Sequence, residues 1–426
     1  MENEETEKRG RVVIIVIRCS SEYYCVIIRI VPASYIIMAA LNVFENSTLI
    51  VEPESFEFHP ALISELHKSM EQWCSVKTKT FLDKSPYLKV GINQTETAII
   101  PQWITKDVEH SVFRMMEIGN ALYHEEEGYE RRATRRIFSF PYIESRGDKI
   151  TRVRTDISLD EYDTLPNLLT ADHKRLIKGE SVYAQIISDA IAGPTHATDV
   201  QLLDPHSVLL LRYLEKHRIK VQALTAVPLF AQWAITHDLV DDDTVVVSPD
   251  IGAISRSSYL AELLGLPLVV CDKWRPQHNA SQVSLRYGSV KKKRAIGLDD
   301  VIDSAGTICE GAEVLKNEGV SELIVMSTSG KFSGPAISRL DNAIHSGLIS
   351  RVVVTDNLPS FAKGRMLGTA FDYVSIAPLL VSGLLTMMDD NADENTYGLR
   401  PFLMRDELPV EAYTRIQSQF NLPPLE

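Results

Sequence analysis

Cysteine is scarce. The 426-residue chain holds five, Cys19, Cys25, Cys74, Cys271 and Cys309. Their number is odd and no pair has metal-site spacing, so neither a disulfide framework nor a zinc site is indicated. Reduced, intracellular thiols are the simplest reading. Long apolar runs are also missing. None reaches the roughly 18 residues that span a bilayer; residues 12–17 are too short, and 374–385 are broken by Pro378 and Gly383. The opening MENEETEKRGR is too acidic for a signal peptide, so a cytoplasmic protein with no membrane partner is expected. There is no GxxxxGK[ST] loop, no GxGxxG, no HExxH, no internal repeat and no low-complexity run. An excess of positive charge is lacking too. A net charge of −13 argues against broad nucleic-acid binding, because a phosphate backbone demands a basic face. It leaves room for one small polyanion in a locally basic pocket. What remains, 45% hydrophobic and 24% charged, is ordinary for a globular chain long enough for two or three domains.

The most informative stretch is residues 293–308, KRAIGLDDVIDSAGTI. Arg294-Ala-Ile-Gly-Leu298 reads as a buried strand ending in the adjacent carboxylates Asp299 and Asp300. Asp303 follows, and Ser304-Ala305-Gly306-Thr307 opens a helix. A strand, an acidic turn and a small hydroxyl-and-glycine loop before a helix make a phosphate cradle. Gly306 lets the backbone come close, and the N–H groups of a helix start favour an anion. Ser304 and Thr307 add hydroxyl donors. The carboxylates cannot bind phosphate; they suit a ribose diol or a hydrated Mg²⁺.

Elsewhere the pattern is that of an α/β chain. Residues 12–31 hold two β-rich runs, a hairpin or edge strands. Residues 48–51 are a strand, and Leu62, Ile63, Leu66, Met70 and Trp73 mark one helix face. Residues 102–122 read as a turn and then a helix, 137–143 as a strand, 151–179 as an inserted loop or helical hairpin, and 180–191 as an amphipathic helix. The strand 199–203 delivers Asp204 and His206. Residues 217–233 cross to a second half. There the strand 244–248 delivers Asp250, and 266–271 is followed by Lys273 and Arg275. Residues 276–288, polar and without clear period, suit a closing lid. Further strands are expected at 322–326, 351–355 and 373–376, with helices at 308–316, 336–344 and from 377 onward.

The run DDVIDSAGT resembles the loop of phosphoribosyltransferases and ribose-phosphate pyrophosphokinases that holds a ribose 5-phosphate, DDxxDTxGT, with Ser304 for a threonine. Several other positions resemble the pyrophosphokinases. Phe81 and Asp83 match a phenylalanine-x-aspartate that contacts the adenine of ATP, although Lys84-Ser85-Pro86 replaces the family's next two residues, Gly-Glu. Arg146 and Asp148 match Arg-Gln-Asp, with Gly147 for glutamine. His206 falls in an Asp-x-His that binds the Mg²⁺ of ATP, and Asp250 in SPDxG, whose aspartate acts on Mg²⁺. Lys273-x-Arg275 matches the cation pair at the base of a mobile loop. Ser329 replaces a histidine.

The resemblance implies an α/β fold of two phosphoribosyltransferase type I-like domains, with mostly parallel sheets flanked by helices. The expected division is an N-terminal extension (1–38), an ATP-side domain (39–220), a ribose 5-phosphate domain (221–385) and a tail (386–426). It implies a ribose-phosphate diphosphokinase that moves the β,γ-diphosphoryl group of ATP to the C1 hydroxyl of ribose 5-phosphate, for nucleotide biosynthesis. Lys273 and Arg275 would be catalytic. Asp299, Asp300, Asp303, Ser304, Ala305, Gly306 and Thr307 would bind the sugar phosphate. Phe81, Asp83, Arg146 and Asp148 would seat ATP, and His206 and Asp250 would hold Mg²⁺. A homo-oligomer, dimer or hexamer, is implied. Two alternatives stand beside it: a non-catalytic regulatory paralogue, favoured by the lost Gly-Glu after Asp83, by Gly147 and by Ser329, and a phosphoribosyltransferase, disfavoured by the ATP-serving residues.

Overall fold

The computed structural model describes residues 12–19, 22–29, 47–51, 63, 72–75, 77–80, 86–89, 97–104, 108–123, 135–143, 183–206, 208–250, 253–277, 280–393, 395–396 and 398–404. Phe81, Asp83, Arg146 and Asp148 lie outside this set, as does the inserted segment 151–179. The chain divides into two compact units. One is Ala33–Leu224 completed by Ala377–Met404, and the other is built on Thr225–Ile376. Near the start, β1 (Val12–Cys19) and β2 (Glu22–Arg29) pair antiparallel as a two-stranded sheet.

The first unit is organised on a parallel sheet of β3 (Ser47–Val51), β4 (Gln72–Ser75), β7 (Thr97–Ile104), β8 (Arg135–Ile143), β9 (Asp199–Leu203) and β10 (Lys220–Leu224). A separate antiparallel hairpin, β5 (Lys77–Thr80) and β6 (Pro86–Lys89), lies in sequence between β4 and β7. The order across the sheet is β10-β9-β8-β7-β3-β4, every pairing parallel. Helices α1 (Val108–Tyr123), α2 (Tyr183–Ala192) and α3 (Val208–Lys216) supply apolar faces to a core containing Met115, Ile118, Ile187, Leu210, Phe138 and Phe140.

The second unit carries α4 (Val227–Thr236), β11 (Thr244–Ser248), α5 (Ile254–Leu264), β12 (Leu268–Gln277), β13 (Ala280–Tyr287), β14 (Arg294–Ile302) and α6 (Gly306–Asn317). It continues with β15 (Glu322–Gly330), α7 (Ala336–His345), β16 (Arg351–Thr355), a 3-10 segment (Pro359–Ala370) and β17 (Phe371–Val374). The strand order is β13-β12-β11-β14-β15-β16-β17, parallel except for β12 with β13. Beyond Cys271, β12 and β13 are described by their backbone. All-apolar strands such as Val245-Val246-Val247 are buried on both faces, as a parallel sheet covered by helices requires.

Both sheets wind the same way. From β3 the chain steps to β4, returns past β3 to β7, and proceeds outward to β10. From β11 it steps to β12, returns past β11 to β14, and proceeds outward to β17. No repeat is legible in the residues, yet the topology repeats. The two mostly parallel sheets bear out the expected α/β fold.

Other differences have local causes. Residues 97–104 form a strand where a turn was expected from 102; Pro101 looks like a turn residue, but a register shift between Pro101 and Trp103 accommodates it. Trp73, assigned to a helix face, lies in β4, so the 3.6-residue spacing was counted across an element boundary. Residues 276–288, expected to lack regular structure, are largely the second arm of a hairpin: Lys273 pairs with Val283 and Trp274 with Gln282. Its polar residues mask the alternation of Val283, Leu285 and Tyr287. The strand β14 does not end at the carboxylates but runs through them to Ile302.

The closing helix, α8 (Ala377–Met388), belongs to the first unit. Gln201 donates to Gln222 Oε1 (2.9 Å) and to the Leu380 carbonyl (3.1 Å), and accepts from Ser139 Oγ (2.7 Å). Gln222 donates to the Gly383 carbonyl (3.1 Å). Gly383 is required here, because a Cβ would stand 2.3 Å from Gln201 Nε2. Arg135 grips Asp199 through two nitrogens and donates to the Met387 carbonyl at the helix end. Among the described residues, no helix is long and apolar enough to cross a membrane.

Candidate functional site

Ligands of open α/β sheets bind outside the carboxyl ends of the strands where the winding reverses. The two units treat that place differently. In the first, β7 ends in Gln102, Trp103 and Ile104, with the first two buried, and Thr105-Lys106-Asp107 leads to α1, with no glycine. In the second, the reversal lies between β11 and β14, which pair from Thr244 with Arg294 to Val247 with Gly297. Asp250 follows β11, and Asp299, Asp300 and Asp303 lie at the end of β14.

The Asp250 carboxylate accepts the Ala253 N–H at 3.0 Å, and Ser248 Oγ donates to the Asp250 carbonyl at 2.8 Å. These bonds shape the turn into α5 and fix Asp250 at the sheet edge. Asp299 accepts the N–H of Asp300 at 2.9 Å. Its acidity is strongly perturbed. Burial first, then the negative charges of Asp300 and Asp250, push its carboxyl up to about 8, with Arg256 of α5 as the opposing influence. Carboxylates crowded in this way suit a cation or a hydroxyl-rich ligand.

After Ile302 the backbone turns sharply. Ala305 is left-handed, at φ 59° and ψ 8°, and α6 starts at Gly306. Such a conformation costs an alanine about 1 kcal/mol. The buried methyl, packed in the core with Ile302, Ala312 and Leu315, offsets it. Ser304 and Thr307 are exposed at the helix mouth. On the other side of the sheet edge, the loop after β15 braces this turn. Lys331 and Phe332 N–H donate to the Ile302 carbonyl, and Ser333 N–H to that of Asp303. Gly330 is needed for this, since a Cβ would stand 2.7 Å from the Phe332 ring.

The structure therefore brings Asp250, Asp299, Asp300, Asp303 and the turn 304–307 to one sheet edge. Lys273 and Arg275 lie two positions apart on β12. His206 follows β9 in the other unit and is exposed. Arg256 was missed by sequence reasoning; the one signal was its place six residues after Asp250, on the helix that aspartate introduces. Among the described residues, no group of three or more His, Cys, Asp or Glu is arranged to hold a metal ion alone. Mg²⁺ rarely asks for one, taking one or two carboxylates together with water and substrate phosphates. The carboxylates here fit that habit.

A family profile described as the phosphoribosyl synthetase-associated domain matches residues 255–390. Ribose-phosphate pyrophosphokinase of Clostridium acetobutylicum is 34% identical over 229 residues, which cover 53% of this chain and 68% of that protein. The chain belongs to the ribose-phosphate pyrophosphokinase family. The family's protein from Aquifex aeolicus is 37% identical over 201 residues, 47% of this chain and 60% of its own. Spinach ribose-phosphate pyrophosphokinase 1 is 35% identical over 212 residues, 50% of this chain and 60% of its own. The alignments thus span about two thirds or less of the relatives' lengths. In fold, the chain resembles the crystal structure of phosphoribosylpyrophosphate synthetase from Mycobacterium smegmatis, with a TM-score of 0.61 and 22% identity, over 80% of this chain and 98% of that one.

Proposed function

We propose that the protein is a ribose-phosphate diphosphokinase, acting on ATP and ribose 5-phosphate to give phosphoribosyl pyrophosphate and AMP. The observation that carries this reading is the second unit's reversal point, where a left-handed turn into a helix adjoins a crowded carboxylate pair. The 5-phosphate is seated by the turn 303–307. Asp299 and Asp300 take the ribose hydroxyls, directly or through Mg²⁺. The C1 oxygen attacks the β-phosphorus, the bond from that phosphorus to the oxygen bridging to the α-phosphate breaks, and AMP leaves with the oxygen. The C1 hydroxyl proton is released. Lys273 and Arg275 balance the charge gathering on the β- and γ-phosphates, and most of the acceleration comes from such positioning and charge placement. Bound Mg²⁺ supplies further charge neutralisation on the phosphates; His206 and Asp250 are its proposed holders, and Phe81, Asp83, Arg146 and Asp148 are proposed to seat ATP. An ATP-side role for the first unit and a ribose 5-phosphate role for the second belong to the same proposal, with residues 377–404 assigned to the first unit and not to the second or to a separate tail; so do a cytoplasmic location and a dimeric or hexameric state.

One observation favours a second reading. Ser329, which stands in place of the family histidine, is buried and accepts a hydrogen bond from Asn357 Nδ2 at 2.8 Å. A chain that has exchanged that imidazole for a structural pair could serve as a regulatory paralogue. A coupled assay decides. AMP formed from ATP only when ribose 5-phosphate is present supports the enzyme. Sugar-phosphate binding without AMP release leaves the paralogue, and consumption of phosphoribosyl pyrophosphate with a nucleobase would mark a phosphoribosyltransferase.

A further inference from the structure

Three successive carbonyls at the end of β14 are held by the stretch of chain between β15 and the middle of α7. Those of Ile302 and Asp303 accept backbone N–H groups, which any sequence could supply. The third, of Ser304, accepts Nη1 of Arg339 at 2.9 Å. That bond comes from a side chain on α7 and depends on the reach of an arginine. A peptide is planar and trans, so a carbonyl turned toward α7 sends the N–H of the same peptide, that of Ala305, the opposite way. Successive N–H groups around a left-handed residue form a concavity that takes an anion, and Ala305 is that residue. The guanidinium is also close to the turn itself: Nη1 lies 3.3 Å from where a Cβ on Gly306 would stand.

We propose that Arg339 is a positioning residue for the phosphate end of the substrate. It fixes the Ser304–Ala305 peptide so that the turn faces a phosphate monoester, and it places a positive charge beside that seat. This rests on the reading of residues 303–307 as the ribose 5-phosphate seat. The role belongs to binding, since Arg339 acts through the turn and not on the atoms that react.

The test uses the full chain with ribose 5-phosphate as the titrant in calorimetry, and the AMP-release assay for kcat and KM. Losing a charge-assisted hydrogen bond should weaken ribose 5-phosphate binding and raise its KM about tenfold in Arg339→Ala, with kcat and the KM for ATP within about twofold. Arg339→Lys keeps a charge and a donor and should recover part of the loss. Because Arg339 is exposed, both variants should melt with the wild type. Wild-type binding of ribose 5-phosphate together with equal binding by Arg339→Ala would overturn this inference alone. Absence of binding by the wild type would overturn the reading of the seat, and this inference with it.

Discussion

Asp299 shows at the scale of one residue what the site is arranged to hold. Its carboxyl, raised to about 8 by burial and by Asp300 and Asp250, keeps a proton where an ordinary aspartate has lost it. The unfolded chain loses that proton near 3.8. Stability from this group is therefore complete below that value and is lost progressively as pH rises toward 8. Asp299→Asn has no proton to lose. Without divalent cations, its melting temperature should gain on the wild type steadily between pH 5 and pH 8, and parallel profiles would sink the account. Lys273 makes a separate prediction. Its replacement by alanine should lower kcat by roughly 10²- to 10³-fold, as loss of a charge-stabilising donor does, while ribose 5-phosphate binding holds. An unchanged rate would remove Lys273 from the chemistry. Both aspartates and this lysine were legible in the sequence because they sit in short, dense motifs. Arg256 and Arg339 were not. Each acts across a turn from a helix, and nothing in its immediate neighbours marks it.

At the scale of elements, the strands that sequence located best were short, apolar and bounded by turns: 199–203, 244–248 and 351–355 match β9, β11 and β16. Those it mistook carry a proline in a bulge or polar residues on one face, as in β7 and β13. The docking of α8 was invisible, because its determinants are two glutamines and one glycine far apart in the chain. That docking can be tested. In Gly383→Val the new side chain enters a space occupied by Gln201 and Gln222, and the buried amide of Gln201 and the half-buried one of Gln222 lose partners. Overpacking and unpaired amides together should cost on the order of 3 kcal/mol in urea denaturation. A variant as stable as the wild type would show that the glutamine clasp is yielding.

For the whole molecule, the decisive fact is that one unit is interrupted by the other. Leu379, Leu380, Val381, Leu384 and Leu385 are buried, and they complete a unit whose strands end at Leu224. Ending the chain after Ile376 removes them and leaves Thr225–Ile376 intact. The shortened chain should be cut by protease within residues 97–224 while 225–376 resists. Equal protection of both would contradict the assignment of α8. The shared winding of the two sheets escaped sequence reasoning because the strand order is set by pairings between distant segments and the two halves share no residue pattern. One reversal point carries glycine and carboxylates, and the other glutamine and tryptophan.

The interruption also sets an order of events on the ribosome. Residues 225–376 are synthesised as a contiguous block before α8 is made. The strands β3 to β10 are translated earlier, and the apolar cover that α8 supplies reaches them only after that helix has left the exit tunnel.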